Sequence, residues 1–423
     1  MNIITEYCEN DNETKTEGMF HLDSTLGGLD MPLGIYKEVT EQFFSKPLIL
    51  KGSEASKKIN DMFDKGVFDK VWALNKSRNM FAMKRAVVNA LWQNTSKEEF
   101  WSVKNCLTGA GNTELRKNEN GVVLFSNVNL CKSPHICPYC SYRISVKRSI
   151  EVAQVVAWAY KNFYVPCLIT LTHQHSNLMS PSTCINIQQK ALQYFYAGTW
   201  AGRKLKEMSI GRITGSEILH GVNGCHFHSH ILFFMKSDYK IDKQKIADSW
   251  VKALKAEKGG NLKSGSVKNM LKNSVDIMEN CHTGEYIAKW GVEKELTCSH
   301  NKSSEGASIF SLAMNGQEGL FVKYARALRG RSRIKFSPGL RDKAGLKEKK
   351  SDWELMQEEI NESQLIAIIS REIWHWLLQK NLVGECKFIA ENFGYKGLET
   401  WFDKLGLPCA LSDGKINLLL NED

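Results

Sequence analysis

Hydrophobic residues recur along the chain with two different periods, which predicts a mixture of helices and strands. Apolar positions at helical spacing predict helices in six stretches: 70–92, 150–160, 186–208, 240–256, 279–295 and 363–380. The short β-branched run Val165–Thr172 ("VPCLITLT") predicts a buried strand, and residues 211–234 predict two strands joined at "GVNG". Helices combined with antiparallel strands indicate the α+β class.

The second strand of this predicted hairpin carries three histidines at alternate positions, His226, His228 and His230. Because side chains alternate between the two sides of a strand, the three imidazoles share one face of the sheet. If Asn223-Gly224 forms a two-residue loop, Glu217 lies opposite His230 and points to the same side.

A carboxylate and two imidazoles on one face are a suitable ligand set for a divalent cation with open coordination positions. The alternative is that the histidines are core residues held by ordinary hydrogen bonds. Burying three imidazoles without partners is costly, so the pattern favours the metal site. This geometry depends on the loop, because a slip of one residue would turn Glu217 to the other face.

A second candidate metal site consists of cysteines. Cys131, Cys137 and Cys140 form a C-x5-C-P-Y-C knuckle, and Cys106 lies upstream. Four thiolates bind zinc tetrahedrally in structural sites, and His135 is an alternative to Cys106 as the fourth ligand. Unrelated reduced cysteines are a further interpretation. A redox-active C-x2-C pair fits less well, because no βαβ pattern surrounds it.

Composition and charge narrow the class of partner. The chain has 423 residues, is 43% hydrophobic and carries a formal net charge of +10, which allows a sizeable core and favours an anionic partner, nucleic acid first. The segment Lys323–Lys350 contains eleven Lys or Arg and two acidic residues, with aromatic residues between them. It predicts contacts with phosphates and bases, and the alternative is a solvated helix face.

The location of the protein is also constrained by its apolar segments. No apolar run approaches the roughly 18 residues that a membrane span requires, and the N-terminal residues do not have the pattern of a signal peptide. We therefore expect a cytoplasmic protein without a membrane partner. In that reducing environment the cysteines are expected to be thiols or metal ligands rather than disulfides.

A candidate nucleophile lies further along the chain. In "TGEYIAKWGVEKEL", Tyr286 and Lys289 are three residues apart and share a face of the predicted helix. Tyrosine is a weak nucleophile at its usual pKa near 10, and a cation that polarises a phosphate and steadies the phenolate makes its attack chemically reasonable. The alternative is an amphipathic core helix.

Four segments together resemble the motifs of one family. They are a cysteine knuckle, a strand of the F-x-T-L-T kind, a histidine strand preceded by Glu, and a Tyr-x-x-Lys helix: "CKSPHICPYCSYRI", "CLITLTH", "SEILHGVNGCHFHSHILFF" and "EYIAKWGVEKEL". The set is similar to that of plasmid-type rolling-circle replication initiators, members of the HUH (His-hydrophobic-His) endonuclease superfamily. The stretch "ALRGRSRIKFSPGLRDKAGL" also resembles one that follows the nicking motif in some members.

The resemblance implies a central antiparallel sheet with flanking helices and a DNA-nicking activity. Tyr286 would attack a phosphodiester of origin DNA, single-stranded or extruded as a hairpin, with Lys289 assisting. The products would be a 5′-phosphotyrosine link and a free 3′-OH. His228, His230 and Glu217 would hold a divalent cation, Mg²⁺ or Mn²⁺.

Further components are implied by the same resemblance. A structural zinc would be held by four cysteines: Cys106, Cys131, Cys137 and Cys140. His226 would have a supporting role beside the cation ligands. Host helicase and polymerase are the expected protein partners.

The chain departs from the family pattern at several positions. Ser229 stands where a hydrophobic residue is usual, Phe227 replaces the usual proline, and Cys225 replaces the usual tryptophan. Some members carry a Glu four residues before the tyrosine, and here that residue is His282. The way in which a replication round ends is therefore open.

The predicted organisation has four parts: a variable N-terminal region at 1–100, a cysteine and zinc module at 101–150, an HUH nicking domain at 151–350 and a helical C-terminal region at 351–423. Three other functions are compatible with parts of the sequence. They are an HUH transposase or mobilisation relaxase, a zinc-knuckle DNA-binding regulator without nuclease activity, and a metal hydrolase of small molecules.

Overall fold

The computed structural model describes residues 67–257, 264–279, 307–346, 351–407, 409–412 and 415–418. The predicted helix at 279–295, including Tyr286 and Lys289, lies outside these residues apart from its first position. Within the described residues, no helix is both long enough and apolar enough to cross a membrane.

The secondary structure alternates between helices and short strands along the chain. The strands are β1 Thr113–Lys117, β2 Val123–Ser126, β3 Val165–Thr172, β4 Ser209–Gly221, β5 Gly224–Met235, β6 Val275–Met278, β7 Ala307–Ser308, β8 Ile334–Phe336, β9 Gln364–Ile369, β10 Cys409–Ser412 and β11 Lys415–Leu418. The helices are α1 Val67–Asn94, α2 Trp101–Lys104, α3 Pro138–Lys161, α4 Pro181–Gly198, α5 Trp200–Met208, α6 Lys243–Glu257, α7 Ser264–Asn273, α8 Ile309–Met314, α9 Glu318–Leu328, α10 Leu340–Lys343, α11 Asp352–Asn361, α12 Arg371–Lys380 and α13 Val383–Lys404.

The largest sheet is antiparallel and has the strand order β6-β3-β5-β4-β7, with β8 also paired to β4. Its centre is the buried strand β3, which has the predicted bounds, and the long hairpin β4–β5. Helices flank this sheet, so the predicted α+β class with a central antiparallel sheet is confirmed.

The two faces of this sheet are covered by different helices. On one face, α4, α5, α6 and α7 enclose a core that contains Trp250 and Phe233. On the other face, α3 packs its valines against Leu168, Leu232 and Phe234. His226, His228 and His230 lie on this same face, because they precede Leu232 in β5 at alternate positions, and they are nearer to the hairpin turn.

A smaller sheet, β2-β1-β9, lies against α1, α12 and α13 around a second core. The prediction for β9 was wrong. Gln364–Ile369 was expected to begin a helix and forms a strand instead. The β-branched sequence "IAII" suits a pleated strand, and Ser370 then caps α12 by accepting a hydrogen bond from Ile373 N. The C-terminal region therefore contains strands as well as helices. The division of the chain into four parts, with boundaries at 101, 151 and 351, remains a prediction.

The predicted single helix at 186–208 is two helices. α4 ends at Gly198, and Thr199 adopts extended backbone angles. The Thr199 side chain then accepts a hydrogen bond from Gly202 N and begins α5. Gly202 approaches the preceding helix so closely that an added Cβ would lie 1.9 Å from the Phe195 carbonyl oxygen, which explains why the bend requires glycine there.

The hairpin register corrects another prediction. Glu217 pairs with His228, not with His230, and Gly221 pairs with Gly224. The loop is therefore Val222-Asn223, and the left-handed φ of +89° falls on Gly224, the residue after the loop. In the expected Asn-Gly turn, the glycine is the second residue of the loop. In the observed turn, the glycine is the first residue after the loop. The register moves by two residues, which leaves Glu217 on the histidine face.

Candidate metal centres

The histidine face is formed by the half of β5 next to the hairpin turn. Burial alternates there: Cys225 and Phe227 are buried on the opposite face, whereas His226 and His228 are partly buried. His230, deeper in the sheet, is 9% exposed. The imidazoles form a row, with ring centroids 4.0 Å apart for His226–His228 and 5.7 Å apart for His228–His230.

One carboxylate contacts this row. The Glu217 Oε2 atom lies 3.2 Å from His230 Nε2, diagonally across the hairpin. When no metal is bound, His230 Nε2 donates to this carboxylate, and its Nδ1 lies 2.9 Å from Thr170 Oγ1. As a metal ligand, Nε2 would carry no proton, and Nδ1 would donate to Thr170 Oγ1. Adjacent ligands of an octahedral ion with bonds of about 2.1 Å lie about 3.0 Å apart, so Glu217 and His230 have a separation that suits one shared cation.

His228 has an unused ring nitrogen. Its Nε2 lies 3.3 Å from His226 Nδ1, and its own Nδ1 is buried without a hydrogen-bond partner. Burial, together with the charge of neighbouring His226, lowers the pKa of His228 to about 3. The imidazole is therefore neutral at physiological pH, which is the form that binds metals. Both observations fit a metal ligand, but of the three expected cation ligands only Glu217 and His230 are in contact. Among the described residues, the four cysteines are the group whose ligand atoms all lie within 4.8 Å, and His228 does not form such a group with Glu217 and His230.

The departures from the family motif have structural reasons on the opposite face. Ser229 is 2% exposed and accepts a hydrogen bond from Gln188 Nε2 at 3.0 Å. The same amide donates to Leu171 O at 2.8 Å, and its oxygen lies 2.8 Å from His173 Nδ1. Phe227 is 1% exposed and fills the core below the turn. A buried hydroxyl is thus tolerated in the histidine strand because it is hydrogen-bonded.

The cysteine cluster forms a closed site for one ion. The sulfur atoms of four cysteines all lie within 4.8 Å of one another: Cys106, Cys131, Cys137 and Cys140. Two of the separations are 3.6 Å, from Cys106 to Cys140, and 3.7 Å, from Cys106 to Cys137. Four zinc–sulfur bonds of about 2.3 Å in a tetrahedron give sulfur separations of about 3.8 Å, so the cluster could bind a metal such as zinc.

The fourth member of this cluster is Cys106, and His135 does not belong to it. His135 is 4% exposed and lies instead beside Arg333, and burial together with that positive charge lowers the pKa of His135 to about 3. Within the cluster, hydrogen bonds from the neighbouring thiols and the charge of Lys84 hold the pKa of Cys106 well below its usual range. The positive charge of Lys84, itself 7% exposed, would offset part of the charge of a thiolate set.

The local sequence explains how these sulfur atoms converge. Cys137 precedes Pro138, which begins α3, and Cys140 lies in the first turn of that helix. Cys131 comes from the loop after β2, and Cys106 follows α2. The cluster therefore joins two separate segments of the chain to the first turn of the helix that packs on the histidine face of the sheet.

Three residues of the histidine site were missed by the sequence reasoning: Thr170, His175 and Arg333. Thr170 belongs to the predicted strand β3, and its pairing with His230 becomes apparent only once the strand order is known. His175 stacks on His226 with ring centroids 4.7 Å apart. Arg333 lines a small cavity together with Glu217. In the sequence, the feature that pointed to a functional role for Arg333 was its position in the basic segment Lys323–Lys350.

The fold and these two centres define the class of protein: an α+β chain that combines a cysteine cluster with a histidine and carboxylate face on an antiparallel sheet. The model of a protein family described as "Replication protein" matches residues 122–382, more than half of the chain. The chain belongs to this family, and the expected relationship to plasmid replication initiators is confirmed.

A curated relative supports the same conclusion over a shorter region. "Protein rep" of Streptococcus pneumoniae serotype 2 (strain D39 / NCTC 7466) is 25% identical over 150 residues, which are 33% of this chain and 46% of that protein. The chain thus spans about half the length of this relative. No solved structure matches the chain.

Proposed function

We propose that this replication protein starts rolling-circle replication by nicking one strand of its origin DNA. The observation that carries the proposal is the histidine face, where Glu217 meets His230 and the buried Nδ1 of His228 has no hydrogen-bond partner. An ordinary core would hold such a nitrogen in a hydrogen bond, because an unsatisfied buried polar atom costs about 1–3 kcal/mol. A ligand role for His228 accounts for the exception.

The proposed cation ligands are His228, His230 and Glu217. A divalent cation held there, Mg²⁺ or Mn²⁺, would polarise the scissile phosphate and stabilise the charge that develops on it. Thr170 fixes the ring of His230 through Nδ1, which leaves Nε2 directed at Glu217. His226 contacts His228 and orients that ring.

The proposed nucleophile is Tyr286, which lies outside the described residues. Strand β6 forms one edge of the sheet and β7 the other, and residues 279–306 connect them. That connection joins the two edges of the sheet that carries the histidines. One face of the sheet is packed with α4 and α6, whereas His226 and His228 on the other face are partly exposed. The topology therefore supports an approach of Tyr286 to the histidine face.

The proposed reaction exchanges one ester for another. The phenolic oxygen of Tyr286 forms a bond to phosphorus, and the bond between phosphorus and the 3′ oxygen breaks. The phenolic proton is lost to solvent or a neighbouring base, and the 3′ oxygen gains a proton to give a free 3′-OH for a polymerase. Lys289 would stabilise the phenolate by its charge.

The cysteine cluster would have a structural role in this scheme. Zinc bound by its four thiolates would fix the start of α3, the helix that packs against the same sheet face as the histidines. This role is inferred from the burial of the sulfur atoms: Cys106 is 1% exposed, and Cys137 and Cys140 are fully buried. Structural zinc sites have four protein ligands and no open position, and the four cysteines would supply such a set.

The test uses a supercoiled plasmid that carries the cognate origin, with Mg²⁺ or Mn²⁺. The wild-type protein is expected to give nicked circles with protein attached to the 5′ end of the cut strand. Tyr286→Phe should abolish the adduct and leave DNA binding intact. Tyr194→Phe, at a partly exposed tyrosine on α4, is the matched control and should nick normally.

Two outcomes would count against the proposal. An undiminished adduct in Tyr286→Phe would remove this tyrosine from the mechanism. Origin binding without any metal-dependent cleavage would favour a DNA-binding regulator that uses the cysteine cluster alone. A transposase or relaxase would give the same adduct but would go on to join the cut strand to a second DNA.

A further inference from the structure

A second cavity shares Arg333 with the small cavity that contains Glu217. Its volume is about 640 Å³, and it separates α3 from the segment that contains β8 and α10. Cavities of about 300–1,000 Å³ are of the size that holds a small ligand or one unit of a polymer. Four of its lining side chains are basic: Arg148, Arg333, Lys335 and Arg341.

Arg148 and Arg341 already have acidic partners. Arg148 binds Asp352 and Glu151, each at 2.7 Å, and Arg341 binds the other oxygen of Glu151 at 2.6 Å. Their charges are thus largely neutralised within the protein. These ion pairs hold the two arginine side chains in place along one side of the cavity. The Nε atom of Arg341 is buried without a hydrogen-bond partner.

Arg333 differs because no carboxylate of the described residues contacts it. Its Nη1 donates to Ser145 Oγ at 2.8 Å, and its Nε is buried without a partner. Burial lowers the pKa of Arg333 to about 10, so the guanidinium is still charged at physiological pH. The charges of Glu217 and Asp352 act on Arg333, but within the described residues neither forms an ion pair with it. Its guanidinium is therefore able to bind an anionic ligand.

The cavity also contains an aromatic surface. Phe336, in β8, is partly buried and lines the cavity, and the guanidinium of Arg341 lies 4.9 Å from the centre of its ring. Stacking on an aromatic ring is the way in which proteins bind the bases of single-stranded DNA without requiring one sequence. A guanidinium that can donate hydrogen bonds to a phosphate and an aromatic ring that can stack on a base line the same cavity. Together they match the chemistry of a nucleotide.

We propose that this cavity binds one nucleotide of single-stranded DNA, with the phosphate on Arg333 and the base against Phe336. The choice of DNA as the ligand rests on the proposed nicking function. Arg333 also lines the small cavity that contains Glu217, so the bound strand passes directly from this subsite to the histidine face. The subsite thereby positions the strand for cleavage.

Binding of a fluorescein-labelled 20-nucleotide oligo(dT) to the full chain tests this subsite, measured by anisotropy at several salt concentrations without added divalent cation. Arg333→Met should weaken binding about tenfold, because a charge-assisted hydrogen bond is lost. The slope of log K against log salt should fall by about 0.7, the contribution of one phosphate contact on a single strand. Lys335→Gln, at the exposed rim, should act in the same direction.

Arg326→Met is the matched control. Arg326 belongs to the same basic segment and pairs with Glu99 on the surface, but it does not line the cavity. It should leave the salt slope unchanged. If Arg333→Met and Lys335→Gln both have the affinity and slope of this control, the subsite does not exist.

Chemical footprinting tests the same subsite without a substitution. Acetylation of Lys335, followed by mass spectrometry, should be reduced by the bound oligonucleotide, whereas the exposed Lys396 on α13 should react equally with and without DNA. Equal reactivity of Lys335 in both states would overturn the proposal.

The proposed function is tested separately, by origin cleavage with the wild-type protein. Cleavage together with unaltered binding by Arg333→Met would reject the subsite alone. Binding that depends on Arg333, without any cleavage, would reject nicking alone.

Discussion

Replacing Cys140 with serine removes one of the four sulfur atoms that converge in the cysteine cluster. Cys140 is fully buried, and its sulfur lies 3.6 Å from that of Cys106. Serine keeps the size of the side chain approximately but does not supply a thiolate. We expect the variant to lose the bound zinc, because three remaining thiolates do not close a structural site.

The magnitude follows from mass action. If free zinc is buffered at about 1,000 times its dissociation constant, the bound ion stabilises the folded wild-type protein by about 4 kcal/mol. For a domain of about 200 residues, each kcal/mol changes the melting temperature by about 2–4 °C. Cys140→Ser should therefore melt about 8–16 °C below the wild type when zinc is present.

The assay is thermal unfolding with and without a zinc chelator, combined with elemental analysis. Cys386→Ser is the control, because Cys386 is also fully buried but lies outside the cluster. Chelation should lower the melting temperatures of the wild type and of Cys386→Ser and leave that of Cys140→Ser unchanged. The difference between the two variants isolates the contribution of the metal from the cost of a buried hydroxyl.

A Cys140→Ser protein that retains one equivalent of zinc and still responds to the chelator would refute this reasoning. So would a wild-type protein whose melting temperature is independent of zinc. Either result would mean that the four cysteines lie together only because their side chains pack in the core, and not because they bind a metal.

Three further predictions concern the histidine sheet and the helices beside it. Glu217→Gln should weaken Mn²⁺ binding at least tenfold by calorimetry, since an amide cannot supply the charge of the carboxylate; unchanged affinity would exclude Glu217 as a ligand. Burial acts to raise the pKa of Glu151, but hydrogen bonds from Arg341 and Arg148 outweigh it and lower that pKa. Glu151→Gln should therefore cost about 3–5 kcal/mol in urea unfolding at pH 7. This difference should start to shrink as the pH falls below about 4.5, where the carboxyl group of the unfolded chain takes up a proton, and should vanish below the lowered pKa of the folded state; a difference independent of pH would contradict the ion pairing. Trp250→Phe should cost about 2–3 kcal/mol, because Trp250 Nε1 donates to a β3 carbonyl at 2.6 Å; a loss below about 0.5 kcal/mol would contradict that role.

The sequence was most informative where one local pattern determined a structure. The alternation in "CHFHSHILFF" predicted a strand with its histidines on one face, and the run Val165–Thr172 predicted β3 with its observed bounds. The cysteine spacing predicted the cluster, which the convergence of its sulfur atoms supports. The residues that specify the two strands, and three of the four cysteines, lie close together in the sequence, whereas Cys106 lies further upstream.

The hairpin register was predicted incorrectly because two turns compete at "GVNG". An Asn-Gly loop requires left-handed angles at both residues, whereas the observed loop places that requirement on Gly224 alone. The sequence contains a suitable glycine for either choice. The closeness of Gly224 to Asn177, whose Cα would lie 2.9 Å from an added Cβ, is a tertiary contact that local patterns do not contain.

Other features depend on contacts between distant parts of the chain. β9 was mistaken for a helix because a short apolar run has no clear period, and its pairing with β1 over about 250 positions decides the outcome. The positions of Thr170, His175 and Arg333 around the histidines arise from strand order and loop packing in the same way. Only the assembled sheet brings them together.

The central claim is that Tyr286 forms the covalent link to DNA. The most direct measurement is mass spectrometry of the adduct isolated after cleavage of origin DNA, digested with nuclease and trypsin. We expect a nucleotide remnant on the tryptic peptide "NSVDIMENCHTGEYIAK", residues 273–289, attached to Tyr286, and no remnant when the divalent cation is omitted. A remnant on any other residue, or a nicked product without covalently bound protein, would contradict it.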